Sequence, residues 1–409
     1  MRNHIVTGLD IGTNTIKVLV AQRTGKQWEV LVSTNIPSFG LRRGSVMNVE
    51  ETAKNIQLLI EGVQRDYDIK VNSVFVNMGG NHIYTTPSDG LISVSRADHI
   101  ISPEDVERVL QATRAINIPS NEEILDVFPR EFIVDDQKGI TQPLGLTGVR
   151  LEAKVVLLCY FQSYFINLTQ AVLGAKLQID DIVPSPLAAA NAVLTPQQKE
   201  LGVALIDIGA ATTSLAVFEE GELVHMAIFP LGSANITNDM AIGLRTEVAI
   251  AEDIKREHGA CIFEKTKADQ IKKKIEMPDK GEPLSFTKKN LVDIIGPRVS
   301  EILDLMQKEL KKIGKQELLP GGIVLTGGGS KLAKIKELAK QQLRLPCQIG
   351  VPRGIIGLDE DPALATVAGL VLGSAEFDSF QEEGLVGGAT EFLKNWLLKL
   401  RRMFRVFIP

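Results

Sequence analysis

The sequence predicts an α/β fold of two similar lobes, with a small α+β subdomain inserted in the first lobe and an amphipathic helix at the end. Three observations carry that expectation. Each half of the chain holds a strand, a carboxylate, a turn of small and hydroxyl residues and a second strand. Between 81 and 165, short alternating segments replace the longer apolar ones. Beyond 390, large apolar and basic residues recur at helical spacing.

The two paired units are Gly8-Leu9-Asp10-Ile11-Gly12-Thr13-Asn14-Thr15-Ile16-Lys17 and Leu205-Ile206-Asp207-Ile208-Gly209-Ala210-Ala211-Thr212-Thr213. Small residues let backbone N–H groups approach a phosphate, and hydroxyls add hydrogen bonds. An aspartate at a strand end can hold magnesium through water. One such hairpin is little more than a turn. Two, one in each half, point to duplicated halves facing each other across a nucleotide.

Composition sets the frame. A chain of 409 residues predicts about two or more domains. With 44% hydrophobic and 23% charged residues it reads as a soluble globular protein. No apolar run reaches the roughly 18 residues of a membrane span, and Met1-Arg2-Asn3-His4 leads into a strand rather than a signal peptide. Cys159, Cys261 and Cys347 fit neither a zinc site nor a disulfide framework, which places the chain in a reducing cytoplasm. Residues 391–409 carry five basic side chains against Glu391, so the net charge of −5 conceals an acidic body and a basic tail. The acidic body argues against nucleic-acid binding, and the tail argues for an acidic or membrane target.

In order, residues 5–21 predict a hairpin, 28–35 a third strand and 37–44 a loop. Asn48 starts a helix along which Val49, Ala53, Ile56, Leu59, Ile60 and Val63 share one face, and 71–78 is a buried strand. In the insertion, 90–95, 122–131 and 154–160 read as strands. A helix capped by Ser102 with Pro103 at its first position runs to Ala115. Then follow a helix at 163–176, a strand at 179–183 and an alanine-rich helix at 187–194. The polar stretch 197–202 joins the halves. The second half repeats strand, loop, strand from Val203, with helices at 235–241, 247–258 and 288–311. The lysine-rich 265–289 reads as a solvated face. Ile323-Val324-Leu325-Thr326-Gly327-Gly328-Gly329-Ser330 predicts a strand and a glycine turn opening a helix from Ala333, a place for close ligand approach. The turn lacks the spacing of a dinucleotide fingerprint. A helix at 363–373 closes the body, and 376–389 reads as an acidic, glycine-containing linker.

These three loops in this order resemble the actin, Hsp70 and sugar-kinase ATPase superfamily. Within it, Leu201-Gly202-Val203-Ala204-Leu205-Ile206-Asp207-Ile208-Gly209, Ala251-Glu252-Asp253-Ile254-Lys255-Arg256-Glu257-His258-Gly259 and Val149-Arg150-Leu151-Glu152-Ala153-Lys154 are similar to the bacterial cell-division FtsA family over nearly the whole chain. The resemblance implies an actin-like two-lobed ATPase fold. It divides the chain into a first-lobe core (1–80 and 166–198), the insertion (81–165), a second-lobe core (199–243 and 319–360), a side subdomain (244–318), a closing helix (361–375), the linker (376–389) and a membrane-targeting helix (390–409).

It also implies ATP and magnesium as ligands. Asp10 and Asp207 would face the metal. Gly12, Thr13, Asn14, Thr15, Lys17, Gly209, Ala210, Ala211, Thr212 and Thr213 would line the phosphates. Glu252 and Lys255 would approach the ribose or base, and Gly327, Gly328, Gly329 and Ser330 the adenosine. Taken alone, Lys17 is equally an exposed strand residue, and Glu252 with Lys255 equally a surface pair at i, i+3. Two departures stand out. Ala210 and Ala211 replace the glycines common in relatives, which would cost energy if either needs positive φ. Pro184-Ser185-Pro186 lacks the acid of hydrolytic relatives, which favours nucleotide binding over fast turnover.

The tail gives the second strong signal. Phe392, Leu393, Trp396, Leu397, Leu400, Met403, Phe404 and Phe407 fall within an arc of about 160° on a helix. Lys394, Lys399, Arg401, Arg402 and Arg405 hold the opposite side. That is the pattern of a helix lying in a membrane interface rich in anionic lipids; the alternative is a terminal helix packed on the body. The resemblance then implies a protein that polymerises head to tail on the cytoplasmic membrane face at the division site, alongside other division proteins. It would tether FtsZ, whose C-terminal peptide would dock at Arg298 with Lys289 or Lys288. Two other readings are a pilus-assembly actin-like adaptor and a sugar- or acetate-kinase-like ATPase.

Overall fold

The computed structural model describes residues 4–25, 27–264, 273–275 and 284–382. The predicted amphipathic helix at 390–409 and most of the lysine-rich stretch lie outside them.

The first lobe opens with β1 (His4–Ile11), β2 (Thr15–Thr24) and β3 (Gln27–Pro37), followed by a minute hairpin of β4 (Leu41–Arg42) and β5 (Ser45–Val46). Helix α1 (Val49–Tyr67) starts where Asn48 accepts a hydrogen bond from the Glu51 N–H, and buries Ala53, Ile56, Leu59, Ile60 and Val63. Strand β6 (Ser73–Met78) runs parallel to β1.

The insertion contains β7 (Ile83–Ser93), α2 (Pro103–Ala112), β8 (Glu122–Val134), β9 (Gln137–Ile140) and β10 (Arg150–Phe161). Its first strand is longer and earlier than the alternation suggests. Pro87 within β7 obscured a strand that pairs with β10 along its whole length. Helices α3 (Gln162–Gly174) and α4 (Ser185–Val193) flank β11 (Gln178–Pro184), and the junction 196–201 is a short helix α5 (Pro196–Leu201).

The second lobe repeats the plan with β12 (Val203–Ile208), β13 (Thr213–Glu219) and β14 (Glu222–Phe229). Then come α6 (Ser233–Leu244), α7 (Val248–His258), β15 (Lys273–Ile275), β16 (Leu284–Phe286) and α8 (Lys288–Lys312). Strand β17 (Ile323–Thr326) leads into a 3-10 turn over Gly328–Lys331, and the α-helix predicted from Ala333 begins two residues later as α9 (Ile335–Leu343). Strands β18 (Cys347–Ile349) and β19 (Ile355–Ile356) precede α10 (Ala365–Glu382). That last helix continues into the stretch read as a linker, because no glycine or proline interrupts 375–383.

The duplication is literal. One sheet has the order β11-β6-β1-β2-β3-β19; the other contains β18-β17-β12-β13-β14. In both, an antiparallel hairpin lies beside two parallel strands. Val203, Ala204, Leu205 and Ile206 are all fully buried because helices cover both faces of their sheet. Helices α4 and α10 share one core with the first sheet and the near face of β12 and β13, while α6, α8 and α9 fill the core on the far face. The insertion has its own core beneath α2.

Two close contacts tie the body together. Helix α10 lies so close to α4 that a Cβ at Gly369 would stand 1.6 Å from the Ala188 carbonyl oxygen, and one at Gly8 of β1 would stand 2.9 Å from the Val367 carbonyl oxygen. The sheet of the insertion also joins β14 of the second lobe through β7. There the Thr85 hydroxyl bonds both the N–H and the C=O of Met226 at 3.0 Å and lies 3.1 Å from His225 Nδ1. Among the described residues, no helix is long and apolar enough to cross a membrane.

Gly369→Ala is expected to destabilise the fold by about 3 kcal/mol or more, since the contact is with backbone that cannot rotate away. Urea denaturation followed by tryptophan fluorescence and circular dichroism measures it; a midpoint equal to wild type would contradict the packing.

Candidate functional site

The two hairpin turns have the same construction. In the first, the Gly12 N–H donates to the Thr15 carbonyl at 3.2 Å; in the second, the Gly209 N–H donates to the Thr212 carbonyl at 2.9 Å. Each turn follows a strand with a carboxylate near its end, Asp10 or Asp207, and the two carboxylates are near enough to act on one another.

The cross-strand partners differ. Asp10 lies opposite Lys17, and Asp207 opposite Ser214. Lys17 Nζ accordingly forms a 2.8 Å ion pair with Asp10. Asp207 has no lysine of its own. Its crowded surroundings and the nearby Asp10 carboxylate push its pKa up to about 6, against weaker lowering by Lys17 and by a hydrogen bond from Thr366. Thr366 belongs to the first turn of α10, so the closing helix touches the site directly.

Neighbouring groups brace the first turn. Asn77, at the end of β6, accepts from the Ile11 N–H at 2.7 Å and donates to Ser185 Oγ at 3.0 Å. Ser185 also donates to the Met78 carbonyl. Ser185 therefore occupies the start of α4 as a structural hydroxyl. Thr13 Oγ1 accepts from the Gly44 N–H at 2.9 Å, while Asn14 is exposed at the tip and Thr15 is half-buried.

The second turn is tied to α6. The Gly209 and Ala210 carbonyls accept from the Ser233 and Ala234 N–H groups at 2.9 and 2.8 Å. Two of the N–H groups left open at that helix start are thereby satisfied by the loop. Ala210 and Ala211 both avoid positive φ, so neither alanine is strained. Thr213 is buried with its hydroxyl on the Leu231 carbonyl at 2.8 Å, pointing away from the half-exposed Thr212.

Glu252 and Lys255 are more than a surface pair. Lys255 is 6% exposed, and its ammonium donates to Glu252 at 2.6 Å, Thr237 at 2.7 Å and the Ser233 carbonyl at 3.2 Å. Burial pulls Lys255 below its ordinary pKa. Burial alone would raise Glu252, but hydrogen bonds from Lys255 and Thr237 draw it below its ordinary value. The network fastens α7 to the start of α6 and hence to the second turn.

The three glycines after β17 have separate tasks. Gly327 sits at φ +81°, and a Cβ there would lie 2.1 Å from Asp207 Oδ1. A Cβ at Gly329 would lie 2.4 Å from Ile208 Cγ2. Gly328 alone of the three is exposed, with Ala363 Cβ at 3.9 Å its nearest neighbour. Ser330 is buried, its hydroxyl on the Gly327 carbonyl at 2.7 Å. Two of the three glycines thus let the turn pack on the end of β12, and one opens onto solvent.

The structure brings Asp10, Lys17, Asp207 and Gly327 together. It places Arg298 apart, on α8, gripped by Asp239 and Glu301. Lys289 is exposed and Lys288 half-buried on the first turn of α8. Residue-by-residue reading missed Asn77 and Thr366; a lone asparagine closing the apolar run Val74-Phe75-Val76 was the available signal. Among the described residues, no group of three or more His, Cys, Asp or Glu side chains could hold a metal.

The sequence profile described as "Cell division protein FtsA" matches residues 204–369, and that of the "SHS2 domain inserted in FTSA" matches residues 80–159. The chain is 37% identical to the cell division protein FtsA of Pseudomonas aeruginosa over 374 residues, covering 90% of this chain and 88% of the relative. It is 36% identical to the Bacillus subtilis protein over 369 residues, covering 90% and 83%. Among solved structures, a PilM–PilN type IV pilus biogenesis complex aligns with TM-score 0.63 at 18% identity, covering 90% of this chain and 98% of that one. MreB5 of Spiroplasma citri bound to ADP aligns with TM-score 0.56 at 14% identity, covering 93% and 99%. The fold is therefore the actin-like one.

The raised Asp207 pKa has a signed consequence. With its folded pKa near 6 and its ordinary value at 3.8, the folded protein takes up a proton that the unfolded chain does not. This group therefore favours folding at low pH, and that contribution is lost as pH rises through 6. Asp207→Asn should melt higher than wild type at pH 7.5 without ligand, with the gap closing as pH falls towards 4. Scanning fluorimetry across pH tests this; a constant gap would contradict it.

Proposed function

The chain belongs to the FtsA family of bacterial cell-division proteins, and from that premise we propose that it binds ATP with magnesium between its lobes and polymerises on the cytoplasmic membrane face. There it anchors FtsZ filaments at the division site through its C-terminal amphipathic helix. The observation that carries the nucleotide reading is the pair of matching turns whose carboxylates lie near one another, with Lys17 paired to Asp10.

The residues present fit a magnesium nucleotide. Lys17 is the cation nearest to both carboxylates, and Asp207 is short of positive charge. Bound magnesium would neutralise both carboxylates and the phosphates. Asp10 and Asp207 would hold it through water. The turn N–H groups, Thr13 and Thr212 would face the phosphates, and Gly328 would face the nucleoside. MreB5, a neighbour of the same fold at 14% identity, has been solved with ADP and with AMPPNP, so the fold is one that can hold a nucleotide. Ser185, bound to Asn77 and Met78 at the start of α4, offers no carboxylate to activate water. Any hydrolysis is expected to be slow, and the lack of a carboxylate at that helix start counts against a sugar- or acetate-kinase activity.

The pilus-adaptor reading rests on likeness at 18% identity, which speaks to fold alone. The FtsA reading rests on family membership and on the tail. The tail's five basic side chains and row of aromatics suit an anionic interface, each basic residue adding about 1 kcal/mol near the surface.

ATP with magnesium should raise the melting temperature of the full chain, and Asp10→Asn and Asp207→Asn should each remove most of that gain. A wild-type protein unmoved by millimolar ATP and magnesium would end the nucleotide reading. For the anchor, a version ending after Glu382, which keeps α10 whole, should lose flotation with vesicles containing anionic lipid. If it floats like the full chain, the tail is not the anchor.

A further inference from the structure

We propose that Asp239 positions the Arg298 guanidinium and Glu301 masks it, so that an acidic partner peptide docks by displacing Glu301. The inference rests on the reading of Arg298 as a peptide contact and adds how that contact is controlled.

Arg298 follows Pro297 inside α8, and the proline itself has no N–H to donate to the preceding turn. Its Nε donates to Asp239 Oδ2 at 2.6 Å and its Nη2 to Asp239 Oδ1 at 3.0 Å. This side-on, two-point grip fixes the plane of the guanidinium, since two parallel bonds leave no free rotation. Nη1 donates to Glu301 Oε2 at 2.5 Å, one turn further along α8.

A guanidinium has five N–H donors. The Asp239 grip takes the edge formed by Nε and Nη2. The outward edge, formed by Nη1 and Nη2, keeps the geometry that receives a second carboxylate. Glu301 accepts from Nη1, one of the two nitrogens of that edge. Its side chain is 55% exposed, against 28% for Asp239. The two carboxylates therefore have different parts. Asp239 belongs to α6, a helix anchored on the second turn, and holds the arginine in place. Glu301 is a solvent-exposed i, i+3 partner, the kind of contact worth a fraction of a kcal/mol and readily exchanged.

The adjoining surface supports a peptide rather than a free anion. Ile242, one turn beyond Asp239 on the same side of α6, is 77% exposed. A segment carrying a carboxylate with an apolar side chain nearby would satisfy both features.

The test is fluorescence polarisation of a labelled peptide matching the C-terminal tail of FtsZ from the same cell, titrated with the full chain. Arg298→Ala should weaken binding by about tenfold or more. Glu301→Gln should tighten it by about two- to fivefold, the worth of an exposed ion pair. Asp239→Asn should weaken it by about fivefold, and Asp239→Glu should recover much of that loss, which a merely structural role would not give. Melting temperatures near wild type for Glu301→Gln and Asp239→Glu keep the comparison valid if Asp239→Asn folds poorly. A peptide that binds Arg298→Ala as well as wild type defeats the docking reading, and this inference with it. Loss of binding in Arg298→Ala, with Glu301→Gln unchanged or weaker, defeats the masking alone.

Discussion

Two carboxylates near one another, with Lys17 paired to the first of them, set the terms for the rest of the molecule. Like charges held close in a crowded cleft disfavour the state in which both are ionised. The duplicated hairpins bring this about, since each puts its aspartate at the same place in its own sheet. The break in symmetry opposite them, lysine in the first lobe and serine in the second, leaves Asp207 undercompensated. The lobes are held in this arrangement by α10, which contacts Asp207 through Thr366 and then packs along β1 and α4 without room for a side chain at Gly369. A structure that keeps two carboxylates near each other at neutral pH sacrifices some stability. Such sites are where proteins commonly place a ligand that supplies the missing charge.

Much of this was legible in the sequence. The 3.6-residue spacing of α1, the capping serine of α2 and the apolar runs of β6 and β12 identify their elements because each is determined locally. The paired aspartates revealed the duplication because hairpin and turn chemistry repeat within a few residues. What stayed hidden depends on contacts distant in sequence. The three glycines after β17 read as one ligand loop, yet two of them are small because β12 lies against them. Their sequence is the same whether a ligand or a neighbouring strand needs the room. Lys255 read as a nucleoside contact or half of a surface pair, and Arg298 as a peptide contact, with no sign of their partners, because α7 and α8 look ordinary alone. Only their packing on α6 shows that one is buried and the other clasped. The caution over Ala210 and Ala211 had the opposite fate. The turn closes with ordinary backbone angles, as does the first-lobe turn, where Thr13 and Asn14 hold the matching positions.

Helix α6 is where these separate findings meet. Its first N–H groups bond the second turn, Thr237 in its second turn joins Lys255 and Glu252, and Asp239 grips Arg298. Ile236, Met240 and Ala241 hold it in the core. A helix satisfied at its start by loop carbonyls and fixed along its length by two ion-pair networks moves as a rigid rod if it moves at all.

The seam between β7 and β14 has a different character. One backbone bridge and the Thr85 hydroxyl carry most of it, and the donors there are fewer than the acceptors when His225 is neutral. His225 Nε2 lies 2.8 Å from Glu309, an acceptor when ionised, so the ring proton belongs on that side. Nδ1 is then an acceptor, and the single Thr85 proton must choose between it and the Met226 carbonyl. Burial lowers the His225 pKa, which favours this neutral, incompletely satisfied state, although Glu309 opposes the shift. The contrast with α6 follows. Around α6 each charged group has its counter-charge and the bonds are mutually consistent. At the seam the hydrogen bonds compete, so this joint is held less firmly by its own chemistry than α6 is.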